Sequence, residues 1–400
     1  MILSEPENAE LRRLENSLMK ACNRYAKSIA LAVAFAVSVG TLVAHAETIG
    51  TEYQQIELTR VADGLEHPWS IAFLPDGSML VTERPGRLNI IDHEGNKTHV
   101  SGTPDVVARG QGGLLEVAIH PDFSSNQYVY LTYSKGGSND DTATALARGR
   151  LDGDTLHDVE DIFVQNRYSQ PGRHYGSKLA WLADGTLLMS IGDRGAEPPR
   201  AQDAQDHAGK LLRLNDDGSV PADNPFVDDD EVASEIYSMG HRNIQGLIVH
   251  PESGEIWATE HGPRGGDELN LVEAGKNYGW PVQSLGQDYR TGEQFADSVR
   301  DHPDMVNPVI DWTPSLAASG LALVSGNHFS AWQGNLLAGG LRSEQIRRVH
   351  FRDGEPVHEE ELLRGKVGRI RDVRIGPDDN IYIAVDSSDG AIYRVSPAEG

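Results

Sequence analysis

The chain has 400 residues, enough for one large domain or two ordinary ones. Its formal net charge is −25 at pH 7, and a surface of that sign repels phosphate backbones and anionic lipid head groups, so we expect no nucleic-acid binding and no peripheral membrane binding. The one cysteine, Cys22, lies in a predicted leader, so we expect the mature chain to contain no disulfide and no thiolate metal site.

The N-terminal region has the pattern of a secretory signal. Basic side chains between positions 20 and 27 precede a mostly apolar run over residues 29–43, which is followed by Ala44-His45-Ala46, the small-x-small pattern of a signal peptidase site. The apolar run is shorter than the roughly 20 residues of a bilayer-spanning helix. Cleavage after Ala46 is therefore favoured over an uncleaved anchor.

This leader sets the predicted domain organisation and location. Residues 1–18 are polar and charged, which is unusual ahead of a signal peptide and leaves open whether translation starts at Met1 or Met19. We expect residues 1–46 to be removed and residues 47–400 to form a single periplasmic or secreted domain without membrane insertion.

One motif recurs along the mature chain: an apolar strand, a Pro-Asp or Asp-Gly turn, and a second strand rich in β-branched and aromatic residues. The copies recur roughly 45 to 75 residues apart, and long helical patterns are missing after the leader. This pattern predicts an all-β six-bladed β-propeller, with residues 216–235 as a long acidic loop; a pair of β-sandwiches is the structural alternative. The six copies begin near Trp69, Leu115, Leu179, Gly246, Leu321 and Val373.

Loops that interrupt the repeat are the first candidates for function. His174 lies in Gly172-Arg-His-Tyr-Gly176 and Asp193 lies in Ile191-Gly-Asp-Arg-Gly195. Imidazole titrates near working pH, so His174 is a candidate general base that Asp193 could orient. The alternative is a histidine that only caps a loop.

Arginines mark two further loops. Arg242, in Gly240-His-Arg-Asn-Ile-Gln-Gly246, offers a fork of donors to a carboxylate or a quinone oxygen, although a surface ion pair is an equally good reading. Arg369 and Arg371 alternate with Ile370, so on a strand they share one face. In so acidic a chain, a pair of arginines on one face suggests an anionic ligand.

Oxygen-rich and glycine-rich segments complete the candidates. The stretch over residues 260–270, followed by Asn277-Tyr-Gly-Trp-Pro281, has the character of a calcium loop built from carbonyls and carboxylates, without the EF-hand spacing. Gln111 lies in a glycine-rich approach to a strand that lacks the βαβ context of a dinucleotide-binding loop.

Taken in order, five motifs resemble the soluble quinoprotein glucose dehydrogenases and aldose sugar dehydrogenases, the glucose/sorbosone dehydrogenase family. They are Gly110-Gln-Gly-Gly-Leu-Leu, His174 with Ile-Gly-Asp-Arg-Gly, Gly-His-Arg-Asn, Glu-His-Gly-Pro with Gly-Gly-Asp-Glu, and Arg-Ile-Arg-Asp. The likeness runs from about Leu65 to Val395. It implies a six-bladed propeller that oxidises an aldose at C1 to the lactone, with pyrroloquinoline quinone (PQQ) and calcium as cofactors and an external electron acceptor.

The resemblance also implies roles for individual residues. His174 would take the C1 hydroxyl proton as hydride passes to the quinone, Asp193 would support it, and Arg242 would polarise the developing oxyanion on the cofactor. Arg342 stands where family members commonly have a lysine. The residues expected to contact the quinone are Gln111, Arg242, Asn243, Ala317, Arg342, Arg369 and Arg371. The expected calcium ligands are the backbone carbonyls of Gly262 and Pro263 at a catalytic ion, and Glu268 with the carbonyl of Tyr278 at a second, structural ion.

Two other functions remain open from sequence. A calcium-dependent lactonase would activate water with metal and histidine, and would have no use for Arg242, Arg369 and Arg371 together. A non-catalytic propeller that binds peptide or carbohydrate would not need His174 with Asp193. The preferred aldose, the electron acceptor and the choice between monomer and homodimer are not predicted.

Overall fold

The computed structural model describes Met19 and residues 47–170 and 172–398. The predicted leader lies outside the described residues except for Met19, so its cleavage stays a prediction. Ala46–Gly400 forms one compact unit. Within the described ranges, no helix is both long and apolar enough to cross a bilayer.

Six antiparallel sheets follow one another along the chain, and we number these blades one to six. In each blade the first strand is innermost. Blade one contains β3 (Pro68–Phe73), β4 (Met79–Glu83), β5 (Arg87–Ile91) and β6 (Lys97–Val100). Blade two contains β7 (Leu114–Ile119), β8 (Tyr128–Gly136), β9 (Thr142–Asp152) and β10 (Thr155–Val164). Blade three contains β11 (Leu179–Trp181), β12 (Leu187–Ile191), β13 (Lys210–Leu214) and β14 (Ile236–Met239).

Blades four to six continue the ring, and the last one includes the N-terminal strands. Blade four contains β15 (Ile244–Val249), β16 (Ile256–Glu260), β17 (Asp267–Val272) and β18 (Ile310–Trp312). Blade five contains β19 (Ala318–Leu323), β20 (Leu336–Gly340), β21 (Gln345–Arg352) and β22 (Glu355–Leu362). Blade six contains β23 (Ile370–Ile375), β24 (Ile381–Val385) and β25 (Gly390–Pro397), followed outward by β2 (Gln55–Leu65) and β1 (Glu47–Gly50). Three short helical turns lie between strands: α1 (Phe123–Asn126) and the 3₁₀ helices Pro198–Gln202 and Ser330–Trp332.

The six predicted repeats are the two innermost strands of the six blades, which confirms the six-bladed β-propeller. Local chemistry explains the turns between them. Asp76 Oδ1 accepts hydrogen bonds from the N–H and the hydroxyl of Ser78, at 2.9 and 2.6 Å, and Asp184 holds Thr186 in the same way. The predicted acidic loop is also confirmed, since residues 215–235 connect β13 to β14 without a strand.

Apolar side chains fill the spaces between neighbouring blades. Six clusters of buried residues each combine side chains from two consecutive blades. The second strands β4, β12, β16 and β20 are buried at every position, because a neighbouring blade covers each of their faces. A seventh, small cluster of Trp69, Leu115 and Tyr175 lies on the innermost strands or the loops that enter them.

A network of four charges lies on or next to the innermost strands, with Lys178, Glu116 and Asp372 buried and Arg374 half-buried. Lys178 Nζ lies 2.7 Å from Glu116 Oε2 and 3.0 Å from Asp372 Oδ1, and Arg374 pairs with both carboxylates. The four residues come from blades two, three and six. Because two cations face two anions, the network is balanced in charge.

The ring is closed by the N-terminal segment. Strand β2 pairs antiparallel with β25 from Ile56 opposite Pro397 to Leu65 opposite Gly390. Residues from the two ends of the domain therefore share one sheet, and the ring leaves no open gap between its first and last blades.

This closure predicts the cost of weakening β2. Ile56 is 1% exposed and packs in the cluster between blades five and six, so Ile56→Ala should lower the free energy of unfolding by about 2–5 kcal/mol. Val357→Ala, at a side chain 47% exposed on β22, should change it by less than about 0.5 kcal/mol. Urea unfolding followed by circular dichroism measures both. Equal effects of the two substitutions would contradict the role of β2 as the closing strand.

Candidate active site

A cavity of about 410 Å³ lies at one end of the ring, and all six blades contribute to its walls. Its lining residues fall just before or within an innermost strand, or just after a second strand. The start of the first strand and the end of the second strand lie at the same end of an antiparallel hairpin, so all these residues lie at one end of their blades. The lining residues include His67, Trp69, Arg84, Gln111, Leu115, Tyr175, Gly176, Asn243, Gln245, His261, Ala317, Leu341, Arg369, Arg371 and Asp386.

The structure brings His174 and Asp193 together beside this cavity. His174 Nδ1 lies 2.6 Å from Asp193 Oδ1, and the two side chains are 11% and 1% exposed. The residues that follow His174, Tyr175 and Gly176, line the cavity. Since the Asp193 carboxylate is an acceptor, His174 Nδ1 is the donor of this bond, and Nε2 is the ring nitrogen left free to accept a proton.

Several donors hold Asp193 in its ionised form. Trp280 Nε1 donates to Oδ2 at 2.7 Å and the Gly195 N–H donates to Oδ1 at 2.7 Å. Burial alone would raise the pKa of Asp193, but its bond to His174, the charge of Arg242 and the Trp280 N–H outweigh burial, so the pKa lies below its ordinary value. Asp193 is therefore a fixed negative partner for the imidazole.

The pKa of His174 is also lowered, but for a histidine this favours the neutral form. Burial lowers its pKa below the ordinary value, and the positive charge of Arg242 lowers it further, while Asp193 opposes both effects. The neutral imidazole therefore persists to lower pH than in a free histidine. The His174 backbone N–H donates to Gln111 Oε1 at 2.8 Å, which connects this loop to the predicted residue Gln111.

Arginines line the other side of the cavity. Arg369 and Arg371 come from the start of blade six and share one carboxylate, that of Asp386, at 3.3 and 3.6 Å. Asp386 also lies 2.7 Å from His67 Nδ1. Burial alone would raise the pKa of Asp386, but the arginines and His67 outweigh it and lower the pKa to about 2.

A chain of amide contacts connects the two sides. Asn243 Oδ1 accepts from the Gly176 N–H at 3.0 Å, and Gln245 Nε2 donates to the Gly176 carbonyl at 2.9 Å. Arg371 in turn donates to Gln245 Oε1 at 2.9 Å. The loop that carries His174 and the strand that carries Arg371 are thereby held in one arrangement.

Three buried nitrogens at or near the cavity have no hydrogen-bond partner among the residues that the structure describes: Nε of Arg242, Nε of Arg371 and Nε2 of His261. Burial, followed by the charges of Arg242 and Arg371, lowers the pKa of His261 to about 3, so its imidazole is neutral near pH 7. Buried polar groups are normally satisfied. These orphaned groups indicate a site that is completed by a polar ligand.

The predicted calcium loop wraps tightly around Gly262. A Cβ at Gly262 would lie 2.1 Å from the carbonyl oxygen of Gly266 and 2.3 Å from that of Gly265, so only glycine fits. Asp267 fixes the loop, since its Oδ1 accepts from the Gly262 N–H at 3.0 Å and its Oδ2 from the Ser315 hydroxyl at 2.7 Å. Such crowding of carbonyl oxygens suits a hard cation.

The predicted structural calcium ligand Glu268 lies opposite Glu260 in the β16–β17 ladder. Asn270 Nδ2 donates to both carboxylates, at 2.9 and 3.1 Å. Desolvation raises the pKa of Glu268 well above its ordinary value, and the neighbouring charge of Glu260 adds to the shift. Tyr278 belongs to the same group, because its ring stacks at 4.7 Å on His241, which bonds Glu260 at 3.0 Å. Two carboxylates held side by side in this way suit a divalent cation.

Two residues predicted to contact the quinone, Arg242 and Arg342, are not among the cavity-lining residues. Arg242 lies next to the cavity, since it donates to the carbonyl of the lining residue His261 at 3.1 Å. The side chain of Arg342 is exposed and does not line the cavity, while its backbone N–H bonds the carbonyl of Leu316 at 3.1 Å. Ala317 does line the cavity, in a left-handed conformation with φ of 51°. Trp312 is buried between blades four and five.

Sequence reasoning missed several cavity residues. His67, Trp69, Arg84 and Asp386 line the cavity, and Trp280 supports Asp193 from the loop after β17. The segments Trp280-Pro281 and His67-Pro68-Trp69 are visible in the sequence. No spacing rule connects them to a site, because they become neighbours only when the blades close into a ring.

Comparisons with known proteins agree with this architecture. The family model described as Glucose / Sorbosone dehydrogenase matches residues 65–394. Aldose sugar dehydrogenase YliI from Escherichia coli strain K12 is 38% identical, over 84% of this chain and 91% of its own length.

Two solved structures are similar over most of the chain. The soluble aldose sugar dehydrogenase from Escherichia coli in the apo form gives a TM-score of 0.83 at 37% identity, covering 86% of this chain and all of that one. The PQQ-bound form of aldose sugar dehydrogenase from Streptomyces coelicolor gives a TM-score of 0.70 at 27% identity, covering 88% of this chain and 100% of that one. The chain belongs to the glucose/sorbosone dehydrogenase family, as its five motifs predicted.

The electrostatics of the dyad predict two opposite shifts. Arg242→Gln should raise the pKa of His174, because a nearby positive charge is removed, whereas Asp193→Asn should lower it, because the anionic partner is lost. NMR titration of the histidine ring protons measures both, with His174→Ala to assign the signal. Shifts in the same direction in the two variants would contradict the arrangement.

Proposed function

We propose that this protein oxidises aldose sugars at C1 to the lactone, with PQQ and calcium, and passes the electrons to an external acceptor. The observation that carries the proposal is the His174–Asp193 pair, joined at 2.6 Å, beside a cavity lined by Arg369 and Arg371. Oxidation of a sugar requires a base that can take its hydroxyl proton, and an anionic quinone requires positively charged side chains. His174 meets the first requirement, and Arg369 and Arg371 meet the second.

The residues present fit the quinone. Its carboxylates match the guanidinium groups of Arg369 and Arg371, and its ring oxygens match donors such as Asn243 and Arg242. The Nε atoms of Arg242 and Arg371, which have no hydrogen-bond partner among the described residues, provide donors for such a ligand. Bound quinone supplies the two-electron acceptor for the hydride that leaves C1.

The residues also fit calcium. The backbone carbonyls of Gly262 and Pro263 would hold an ion beside the quinone, where it would supply Lewis-acid polarisation of a quinone oxygen. Glu268 and the carbonyl of Tyr278 would hold a second ion. Its charge would neutralise the Glu260–Glu268 pair, which otherwise raises the pKa of Glu268.

The protein's own part in the reaction is to move one proton and to fix the sugar. His174 Nε2 takes the C1 hydroxyl proton as the C1–H bond breaks, and Asp193 stabilises the imidazolium that forms, as it already accepts from Nδ1. Arg242, whose guanidinium carbon lies 5.2 Å from the Trp280 ring centre, holds positive charge beside the dyad. Burial and, after it, this charge lower the pKa of His174, which keeps the imidazole neutral and ready to accept the proton.

The lactonase alternative gains less support. It leaves the arginine side of the cavity and the orphaned guanidinium nitrogens without a ligand. We further propose that the mature domain acts in the periplasm or outside the cell, which rests on the predicted leader alone.

The proposal predicts a strict double requirement. Purified protein treated with a chelator should reduce an artificial dye with an aldose only after PQQ and calcium are both restored, because each fills a different part of the site. A panel of aldoses ranks the substrates. Folded protein that stays inactive with both cofactors and every sugar would contradict the proposal and favour the lactonase, which a lactone hydrolysis assay would detect.

His174→Ala should lower the rate of sugar oxidation by roughly 10²- to 10⁴-fold, the usual contribution of a general base. PQQ binding, followed by absorbance, should change little. His250→Ala is the control, because His250 Nδ1 only accepts from the backbone of a turn, at 3.3 and 3.2 Å. Full activity in His174→Ala would remove it as the base.

A further inference from the structure

We propose that Arg84 is a further cofactor-binding residue, a third arginine that pairs with the carboxylates of the bound anion. Arg84 follows β4 and lines the cavity, and neither a motif nor the family resemblance singled it out. The inference rests on the proposed function, because it takes the anionic cofactor to be PQQ.

The backbone of Arg84 is fixed at the edge of the cavity. Its N–H donates to the His67 carbonyl at 3.0 Å, and its carbonyl accepts from the Leu114 N–H at 3.0 Å. The chain of blade two passes so close that a Cβ at Gly113 would lie 1.8 Å from the Arg84 carbonyl oxygen. The side chain therefore starts from a rigid point between blades one and two, and its guanidinium donates to the carbonyl of Gly110.

Arg84 has no carboxylate within 4.0 Å in the part of the chain that the structure describes, whereas Arg87, three residues later, pairs with Glu83 and Glu66 at 3.0 and 2.9 Å. Arg369 and Arg371 share the single carboxylate of Asp386. Three guanidinium groups thus face one carboxylate in the cavity. In a chain of net charge −25, this local excess of positive charge must serve a ligand of opposite sign.

Arg369 and Arg84 both act on Arg371. Burial lowers the pKa of Arg371, Asp386 opposes the shift, and the positive charges of Arg369 and Arg84 both add to it. An anion that carries several carboxylates would relieve this repulsion, while a neutral sugar would not. Arg342, at the position where the family commonly has a lysine, is exposed and is not among the residues that line the cavity, so Arg84 supplies the third cation.

The test compares matched arginine variants. PQQ is titrated, with calcium present, into wild-type protein, Arg84→Gln, Arg84→Lys and Arg342→Gln, and binding is followed by calorimetry. We expect Arg84→Gln to bind roughly 10- to 100-fold more weakly, the value of one charge-assisted pair. Arg84→Lys should lie between it and wild type, since charge is kept and the fork is lost. Arg342→Gln tests the competing candidate for the third cation, and we expect it to lose less affinity than Arg84→Gln.

Each outcome decides a different point. Wild-type affinity in Arg84→Gln, with weak binding in Arg342→Gln, would overturn the inference and restore Arg342 as the third cation. No PQQ binding by folded wild-type protein would overturn the proposed function itself. Thermal unfolding with and without PQQ separates binding from structure: a lower unfolding temperature of Arg84→Gln without cofactor, with an unchanged rise on adding PQQ, would assign Arg84 a structural role only.

Discussion

The pairing of β2 with β25 is the contact on which the rest of the structure depends, because a site built from all six blades exists only when the ring is closed. The closing strand runs directly into the site. β2 ends at Leu65, and His67, two residues later, bonds Asp386, which follows β24. The contact between His67 and Asp386 thus belongs both to the closing seam and to the cavity wall, and Asp386 in turn pairs with Arg369 and Arg371. The closing seam and the cavity wall therefore share His67 and Asp386.

Charge is distributed unevenly through the molecule. The chain is strongly acidic, Lys178, Arg374, Glu116 and Asp372 form a balanced network on and next to the innermost strands, and the cavity is lined by an excess of arginine. Trp69 lies near both groups, since its ring centre is 4.7 Å from Lys178 Nζ and 5.6 Å from Arg371 Cζ. A cleft lined by one sign of charge focuses its own field, so the arginines give the cavity a potential opposite in sign to the net charge of the chain.

The fold could be predicted from the sequence because each blade has a recognisable pattern within its own short segment of the chain. The inner hairpin of every blade carries its own apolar strands, and every blade except the fifth has an Asp or His turn between them, so six copies were visible without any tertiary knowledge. The outer strands β5, β6, β10 and β14 face solvent on part of their surface and lack such a pattern. β2 carries no sign at all that its partner lies more than 300 residues away.

The site was predicted only in part, for the same reason. His174 and Asp193 lie in unusual loop motifs that interrupt the repeat, and Arg369 and Arg371 lie at the start of β23 in an unusual Arg-Ile-Arg-Asp motif. Asp386, Arg84 and Trp280 occur in ordinary strand ends and turns, and the ring alone gives them their neighbours.

The cavity draws its residues from the two inner strands of each blade and from the loops at one end of them. The two outer strands of blades one to five supply no lining residue, and they join to one another at the periphery of the ring. Blade four is the exception, because Glu268 lies on its third strand and Trp280, which bonds Asp193, lies in its outer loop. In blades one, two, three and five, insertions, fusions or a drift in surface sequence at the outer hairpins can accumulate without moving the reacting groups, which makes this part of the periphery the natural place to attach the protein to an electrode or to a second enzyme.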